Sequence, residues 1–324
     1  MPVRNEAWIL PTTLSALVDI CDVVIVADQC STDGSRDICR AFEKVVLIDN
    51  PREGHSNQVR WELLDAARQF DGNNLLVSVD ADEYFPPQLI HSALERAISD
   101  IEQGTWLEFR WIQLWKSIYH YRDDESVWSV SWKPIAILDD RMKHYRSDIV
   151  INDHTSRVPG PETNPSARVT AAPLIHLQWV AWQRAQMKQA WYRSVELVEE
   201  PGSFMSINSK YSVTLEQDNQ TLSHVPEEWL AGVSFPDGIA DTGPGWYQEV
   251  ILALFDKHGI EFFEPLQIWH NEELRARFEH IMGREPRSHS AASTRSIQAQ
   301  VRSFIGSWLP VGVKKLVSRK SRTE

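Results

Sequence analysis

The stretch Leu75-Leu76-Val77-Ser78-Val79-Asp80-Ala81-Asp82-Glu83 decides how this chain is read. A short apolar run ends in two carboxylates separated by one small residue. An apolar run of this length closed by acids predicts a buried parallel strand over 75–79 whose carboxyl end opens into a site. Ligands of open α/β sheets gather at that end of the strands. Two hard oxygen ligands there suit a divalent cation such as Mg2+ or Mn2+, and such a cation suits a diphosphate. The competing reading is an acidic strand-to-helix turn in which one Asp caps the helix after Pro86. Asp-x-Asp is too short a pattern to choose between them, so its surroundings must.

Upstream, helical and strand patterns alternate. Residues 7–18 are amphipathic, 23–27 read as a buried strand, 35–43 as a helix, 45–48 as a strand and 57–70 as a helix. Downstream, Pro86-Pro87 opens a helix reaching about residue 98, and 105–114 read as a strand. The alternation predicts an α/β core with a mostly parallel sheet flanked by helices. Beyond it, residues 106–132 are rich in Trp and Tyr, and 159–165 form a Pro/Gly-punctuated loop. A strand is expected over 174–179 and a long helix over 182–200. Residues 203–245 are loop-rich, and a helix over 246–258 stops at Gly259. The expected organisation is a core over 1–135, a helix- and loop-rich second half over 136–282, and a linker with a basic amphipathic tail over 283–324.

Composition narrows the classes. A formal charge of −12 over 324 residues argues against a nucleic-acid partner held by a general basic surface. Cys21, Cys30 and Cys39 have neither metal-ligand spacing nor a disulfide framework, which fits a reducing cytosol. No signal peptide pattern precedes the core, and no apolar run reaches the roughly 18 residues of a spanning helix. A cytoplasmic protein, soluble or peripheral to a membrane, is expected. Phe304, Ile305, Trp308, Leu309 and Val313, followed by Lys314, Lys315, Arg319, Lys320 and Arg322, suggest contact with an anionic membrane surface. Pro310 and Gly312 interrupt any helix there.

Other residues fall in the right places to serve the acid pair. Asp28 follows the strand over 23–27, where its carboxylate can accept hydrogen bonds from a nucleobase imide or a ribose. Ser31, Thr32 and Asp33 offer N-cap chemistry to the next helix, Asp33 above all. Pro2 and Asn5 suit a loop feeding the helix at Ala7, with Glu6 within reach of the same nucleotide. Arg52, His55 and Arg60 lie between the third strand and the acids, and an arginine fork there matches diphosphate oxygens. For Arg60 a solvated helix face is the alternative.

Pro2-Val3-Arg4-Asn5-Glu6, then Asp28 with Ser31-Thr32-Asp33-Gly34-Ser35, then Asp80-Ala81-Asp82-Glu83 together resemble glycosyltransferase family 2. The three motifs occur in order across roughly the first third of the chain. The resemblance implies a GT-A fold and an inverting transferase that uses a nucleotide-diphospho-sugar and a divalent metal, Mn2+ or Mg2+. It implies that Asp28 binds the nucleobase, that Asp80 contacts the ribose or metal region, and that Asp82 ligates the metal. A glycan or lipid-linked acceptor of the kind found in bacterial surface polysaccharides follows from the same family. The family's first strand precedes its Pro-x-x-Asn-Glu loop. Here that loop starts at the second residue, so the first strand is expected to be missing and the true start to lie upstream.

Inverting transfer needs a base for the acceptor hydroxyl and a cation for the leaving diphosphate. The family's usual acidic pair for the base has no clear counterpart, leaving Asp153, Asp140 and Asp139 as candidates. Asp153 ranks first because Ile-Asn-Asp-His-Thr-Ser-Arg resembles a His-containing segment of core-polysaccharide transferases. His176 resembles the late histidine that completes the metal ligand set in some GT-A enzymes, though a lone strand histidine is commonly a satisfied core residue. Of fourteen tryptophans, Trp111, Trp115, Trp128 and Trp132 lie where an acceptor groove could offer aromatic faces to sugar, and Trp182 and Trp191 read as core. A haloacid-dehalogenase-type phosphotransferase would want Thr or Val two residues past the second Asp, where this chain has Tyr84. The Gly-rich loops of nucleotidyltransferases and dehydrogenases are not present. A non-catalytic carbohydrate- or nucleotide-sugar-binding relative is the remaining alternative.

Overall fold

Val-Ile-Val-Ala-Asp and Val-Val-Leu-Ile-Asp place branched residues in succession, which favours extended backbone. Both are strands in the computed structural model, which describes residues 1–52, 58–141, 157–159, 164–215 and 220–287. Along the chain run β1 (Pro2–Val3), α1 (Leu10–Ile20), β2 (Val24–Asp28), α2 (Ser35–Arg40), β3 (Val45–Asp49) and α3 (Gln58–Ala67). Next come β4 (Leu75–Val77), β5 (Glu83–Tyr84), α4 (Pro87–Ser99), β6 (Trp106–Gln113), β7 (His120–Arg122), α5 (Val127–Val130), β8 (Trp132–Leu138) and β9 (Ser166–His176). The remainder holds α6 (Trp182–Glu199), α7 (Phe204–Lys210), β10 (Leu222–His224), α8 (Glu227–Leu230), α9 (Tyr247–His258) and α10 (Glu272–Met282).

Two sheets build the first unit. One is parallel in the order β1-β2-β3, with Asp28 level with Asp49 and Val3 level with Asp28. The other is mixed, in the order β4-β8-β6-β9-β5, with only the β6–β9 pair parallel. Two expectations are corrected. The first strand is not wholly missing, because Pro2–Val3 pairs with β2 and the Ala27 and Gln29 amides donate to the Met1 and Val3 carbonyls. The strand before the acid pair is half-buried, and its partner β8 runs antiparallel to it, so an apolar run by itself did not reveal the direction of its neighbour.

Leu10, Leu14 and Leu17 recur at helical spacing on α1 and pack with Val24 and Val26 of β2, Ile90 and Ala93 of α4, and Leu107 and Phe109 of β6. Each such side chain contributes about 1.5–3 kcal/mol when fully buried. The core does not end at residue 135. β9 lies between β6 and β5, so the first unit runs from Met1 to Trp182 and regains Gln220–Gly243. That later segment returns through β10 on β7, through the Thr12 hydroxyl to the Ser234 carbonyl at 2.7 Å, and through the Tyr84 hydroxyl to the Trp229 carbonyl at 3.2 Å.

The second unit, Gln183–Asn219 with Pro244–Glu324, has its own helical core of Met187, Leu197, Ile251, Phe255, Trp269 and Phe278. Inside it the Arg284 fork holds both oxygens of Glu264, at 2.5 and 2.9 Å, and the Arg287 amide adds a third bond. Arg284 thereby depresses the Glu264 carboxyl to about 2. A depressed carboxyl stabilises the fold above its unfolded value, about 4.3, and loses that contribution as pH falls toward 2. Urea unfolding of wild type and Glu264→Gln should therefore differ by on the order of 1 kcal/mol at pH 6, after allowance for solvent screening, and converge near pH 2.

Among the described residues, no helix is long and apolar enough to cross a membrane. The tail and most of the linker lie outside the described residues.

Candidate active site

The first two motifs form one latched structure. Asn5 sits at a φ of 53°, a left-handed conformation that asparagine tolerates better than most residues. In this turn the Asn5 amide donates to Ser31 Oγ at 2.9 Å, and Asn5 Oδ1 accepts the Thr32 amide at 2.7 Å. The Glu6 amide donates to Ser35 Oγ at 2.9 Å, and the Ala7 amide to Asp33 Oδ2 at 2.9 Å. Asp33 Oδ1 also accepts the Ser35 amide at 3.0 Å, while Gly34 is the N-cap residue. Asp33 therefore joins the start of α2 to the Pro2–Glu6 turn instead of acting as a simple cap. Glu6 holds the Trp8 indole through its carboxylate at 2.5 Å.

Asp28 ends β2 and is 1% exposed. Its Oδ2 accepts the Ser31 amide at 3.1 Å and Arg36 Nη1 at 2.8 Å, and Arg36 reaches on to Asp49 at 2.7 Å. Its Oδ1 is buried with no hydrogen-bond partner among the described residues. A buried carboxylate oxygen left this way is costly unless a ligand donates to it.

The acid pair is held from several directions. The Thr13 hydroxyl on α1 donates to the Ala81 carbonyl at 2.8 Å, and the Leu177 amide to the Asp82 carbonyl at 2.8 Å. Arg60 is buried, not solvated, and its Nη2 meets Asp80 Oδ1 at 2.7 Å while Nη1 reaches Ser78 Oγ at 3.2 Å. Arg157 Nη2 meets Asp80 Oδ2 at 2.9 Å. Burial opposes ionisation of Asp80, but the Arg157 and Arg60 guanidiniums outweigh it and hold the carboxyl far below the usual carboxylate range. Both Asp80 oxygens thus face arginine.

Asp82 is different. It is 6% exposed, and its Oδ2 faces His176 Nε2 at 3.4 Å. Strand register sets what surrounds this pair: Glu83 on β5 is level with His176 on β9, which is level with Gln113 on β6. Residues level with one another across strands share a face of the sheet. On that face Glu83 Oε1 accepts the Trp111 indole at 2.7 Å, Glu83 Oε2 accepts the Asp80 amide at 2.9 Å, and the same carboxylate is ion-paired to Arg157. The Trp111 ring stacks on His176 with centroids 4.8 Å apart, and Lys133 Nζ sits 3.4 Å from the centre of the Trp111 ring.

Several expected roles change. Asp139 is fully buried and receives Arg68 through Nε at 3.1 and 3.2 Å and through Nη2 at 2.5 Å, so it is a structural ion pair and not an accessible base. Asp140 is half-buried, and Asp153 and His55 lie outside the described residues. The Arg52 fork is taken up by Glu62 and by Asn50 Oδ1, the latter at 3.1 Å. Trp115 is buried against Trp179, so it presents no face to an acceptor. Trp111 backs His176, whereas Trp128 and Trp132 are half-buried. The sequence reading missed Arg157, Glu83, Lys133 and Gln113. Arg157 closes the run examined for Asp153, and Glu83 adjoins the acid pair, but neither position carries a local sign of its partner.

Among the described residues no three His, Cys, Asp or Glu side chains converge as a ready metal centre. Asp82 and His176 nevertheless fit part of one. Cations of the Mg2+ and Mn2+ type are commonly held by one or two protein ligands, with phosphates and water supplying the rest.

Residues 1–155 match the family model Glycosyl transferase family 2, and this part of the chain belongs to that family. The protein is a glycosyltransferase whose mixed α/β core is of the GT-A type. Among solved structures it is similar to a crystal structure of S. aureus TarS 1–349, at 12% identity and a TM-score of 0.36, covering 87% of this chain and 77% of that one. No curated protein matches.

Proposed function

We propose that the protein is an inverting transferase that moves a sugar from a nucleotide-diphospho-sugar to a hydroxyl of a glycan or lipid-linked acceptor, with a divalent metal assisting. The buried, unpartnered Asp28 Oδ1 at the carboxyl end of β2 carries this reading, because it calls for a ligand N–H or O–H such as a nucleobase or ribose supplies. The Pro2–Glu6 turn, latched against Ser31 and Ser35, walls the same place.

Asp82 and His176 would hold the metal, and an imidazole in the set favours Mn2+ over Mg2+. When bound, such an ion offsets the negative charge that gathers on the departing diphosphate. Arg60 and Arg157 keep Asp80 ionised and fix the turn that carries Asp82. Deprotonation of the acceptor hydroxyl falls to Asp153 or Asp140, since the Arg68 pair removes Asp139 from the candidates. The basic, apolar tail over 301–322 would bring the enzyme to the cytoplasmic face of a membrane, where lipid-linked acceptors lie.

The test is a thermal-shift panel of nucleotide sugars with Mn2+ or Mg2+. One donor at a hundred times its Kd should stabilise the protein by about 2.7 kcal/mol. Asp28→Asn is the matched control. The Ser31 amide and Arg36 hold the oxygen side of the new amide, so its NH2 would replace the free acceptor with a donor. Nucleotide affinity should then fall roughly 10- to 100-fold, as for a lost charge-assisted bond. If no sugar nucleotide stabilises the protein with either metal, the proposal fails.

A further inference from the structure

Behind the Asp82–His176 pair stands a short chain of hydrogen bonds whose polarity chemistry determines. Trp179 Nε1 lies 3.0 Å from Gln113 Oε1, and His176 Nδ1 lies 2.6 Å from that same oxygen. An indole nitrogen only donates. The Gln113 amide must therefore turn its oxygen, not its NH2, toward Trp179. The same oxygen can only accept, so His176 must carry its hydrogen on Nδ1. A neutral imidazole protonated at Nδ1 has its lone pair on Nε2, the atom that faces Asp82 Oδ2 at 3.4 Å. In that form Nε2 and the Asp82 carboxylate both offer electron pairs, close enough together to serve one cation.

The surroundings leave this arrangement little freedom. Gln113, Trp179 and His176 are 0%, 1% and 5% exposed. Gln113 and His176 are level on adjacent strands, the Leu114 amide donates to the His176 carbonyl at 3.1 Å, and Trp111 lies against the imidazole at an interplanar angle of 22°. Gln113 Nε2 is buried with no hydrogen-bond partner among the described residues. An apolar side chain would avoid that cost, so the position retains an amide for its oxygen.

We propose that Gln113, oriented by the Trp179 indole, is a positioning residue that sets the tautomer of His176 and so turns Nε2 into a cation ligand beside Asp82. The inference rests on the metal-assisted reading given above. Its test is Mn2+ binding to the full chain, with Mn2+ alone as the probe. Electron paramagnetic resonance counts free and bound ion, and pulsed measurements detect nitrogen coupling from a coordinated imidazole.

Wild type should bind Mn2+ with a nitrogen signature that His176→Ala removes. Gln113→Leu should weaken binding roughly 10- to 100-fold, as for a lost partner behind a metal-ligating histidine, and diminish the nitrogen coupling. Gln113→Glu keeps the acceptor and should bind within a few-fold of wild type. Trp179→Phe frees the amide to rotate, should weaken binding in the same direction as Gln113→Leu, and decides the matter if Gln113→Leu does not fold. Wild-type binding that neither Gln113→Leu nor Trp179→Phe alters overturns the inference alone. Absence of Mn2+ binding by wild type overturns the metal-assisted reading and the inference with it.

Discussion

Asp82→Asn is expected to lower glycosyl transfer by roughly a hundred- to a thousand-fold while the protein stays folded. Asp82 is buried to 6% exposure, two residues beyond Asp80, whose two oxygens each meet an arginine. Its carboxylate faces the His176 imidazole nitrogen at 3.4 Å. On the proposed reading the Asp82 charge holds the cation that offsets the leaving diphosphate; its loss is worth several kcal/mol, and each 1.36 kcal/mol is about a factor of ten in rate. The amide is nearly isosteric, and the backbone bonds from Leu177 and the Thr13 bond to Ala81 do not involve the Asp82 side chain. Initial rates with the donor found in the binding panel, alongside urea unfolding, check both halves. Near-normal turnover by folded Asp82→Asn would remove Asp82 from the reaction.

Asp139→Asn should do the reverse: destabilise strongly and spare the chemistry. Its carboxylate is fully buried and holds the Arg68 guanidinium through both oxygens. Breaking a buried pair by removing one charge costs about 3–5 kcal/mol, because the other charge stays behind uncompensated. Arg68 retains 19% of its side-chain exposure, so water relieves part of this, and about 2–4 kcal/mol is the expected loss. Chemical denaturation measures the loss. The rate per folded molecule, taken well below the melting transition, should stay within a few-fold of wild type. A folded Asp139→Asn protein that has lost turnover would restore Asp139 as a base.

These two acids show what local patterns can and cannot reveal. Asp80-Ala81-Asp82 was legible because an apolar strand that stops at carboxylates is a local signal, and so was the Asp28 turn. The elements over 105–114 and 246–258 emerged close to their observed bounds, since periodicity and a stop such as Gly259 act over a few residues. The direction of the strand over 75–77 was not legible, because it depends on β8, some sixty residues away. The division of labour between Asp80 and Asp82 was equally hidden. It depends on Arg157, which lies 74 positions from the Glu83 it also binds.

By itself the sequence determined the class of the protein, the alternation of strand and helix, and the acids at strand ends, all of which rest on contacts between near neighbours. Only the tertiary structure decided which acid is neutralised, which faces a histidine, and which is a structural pair. The Asp80 and Asp139 pairs depend on Arg60, Arg157 and Arg68 arriving from other parts of the chain, while strand register brings His176 level with Glu83 on one side and Gln113 on the other. A slip of one residue in β9 would turn His176 to the opposite face of the sheet, away from Gln113.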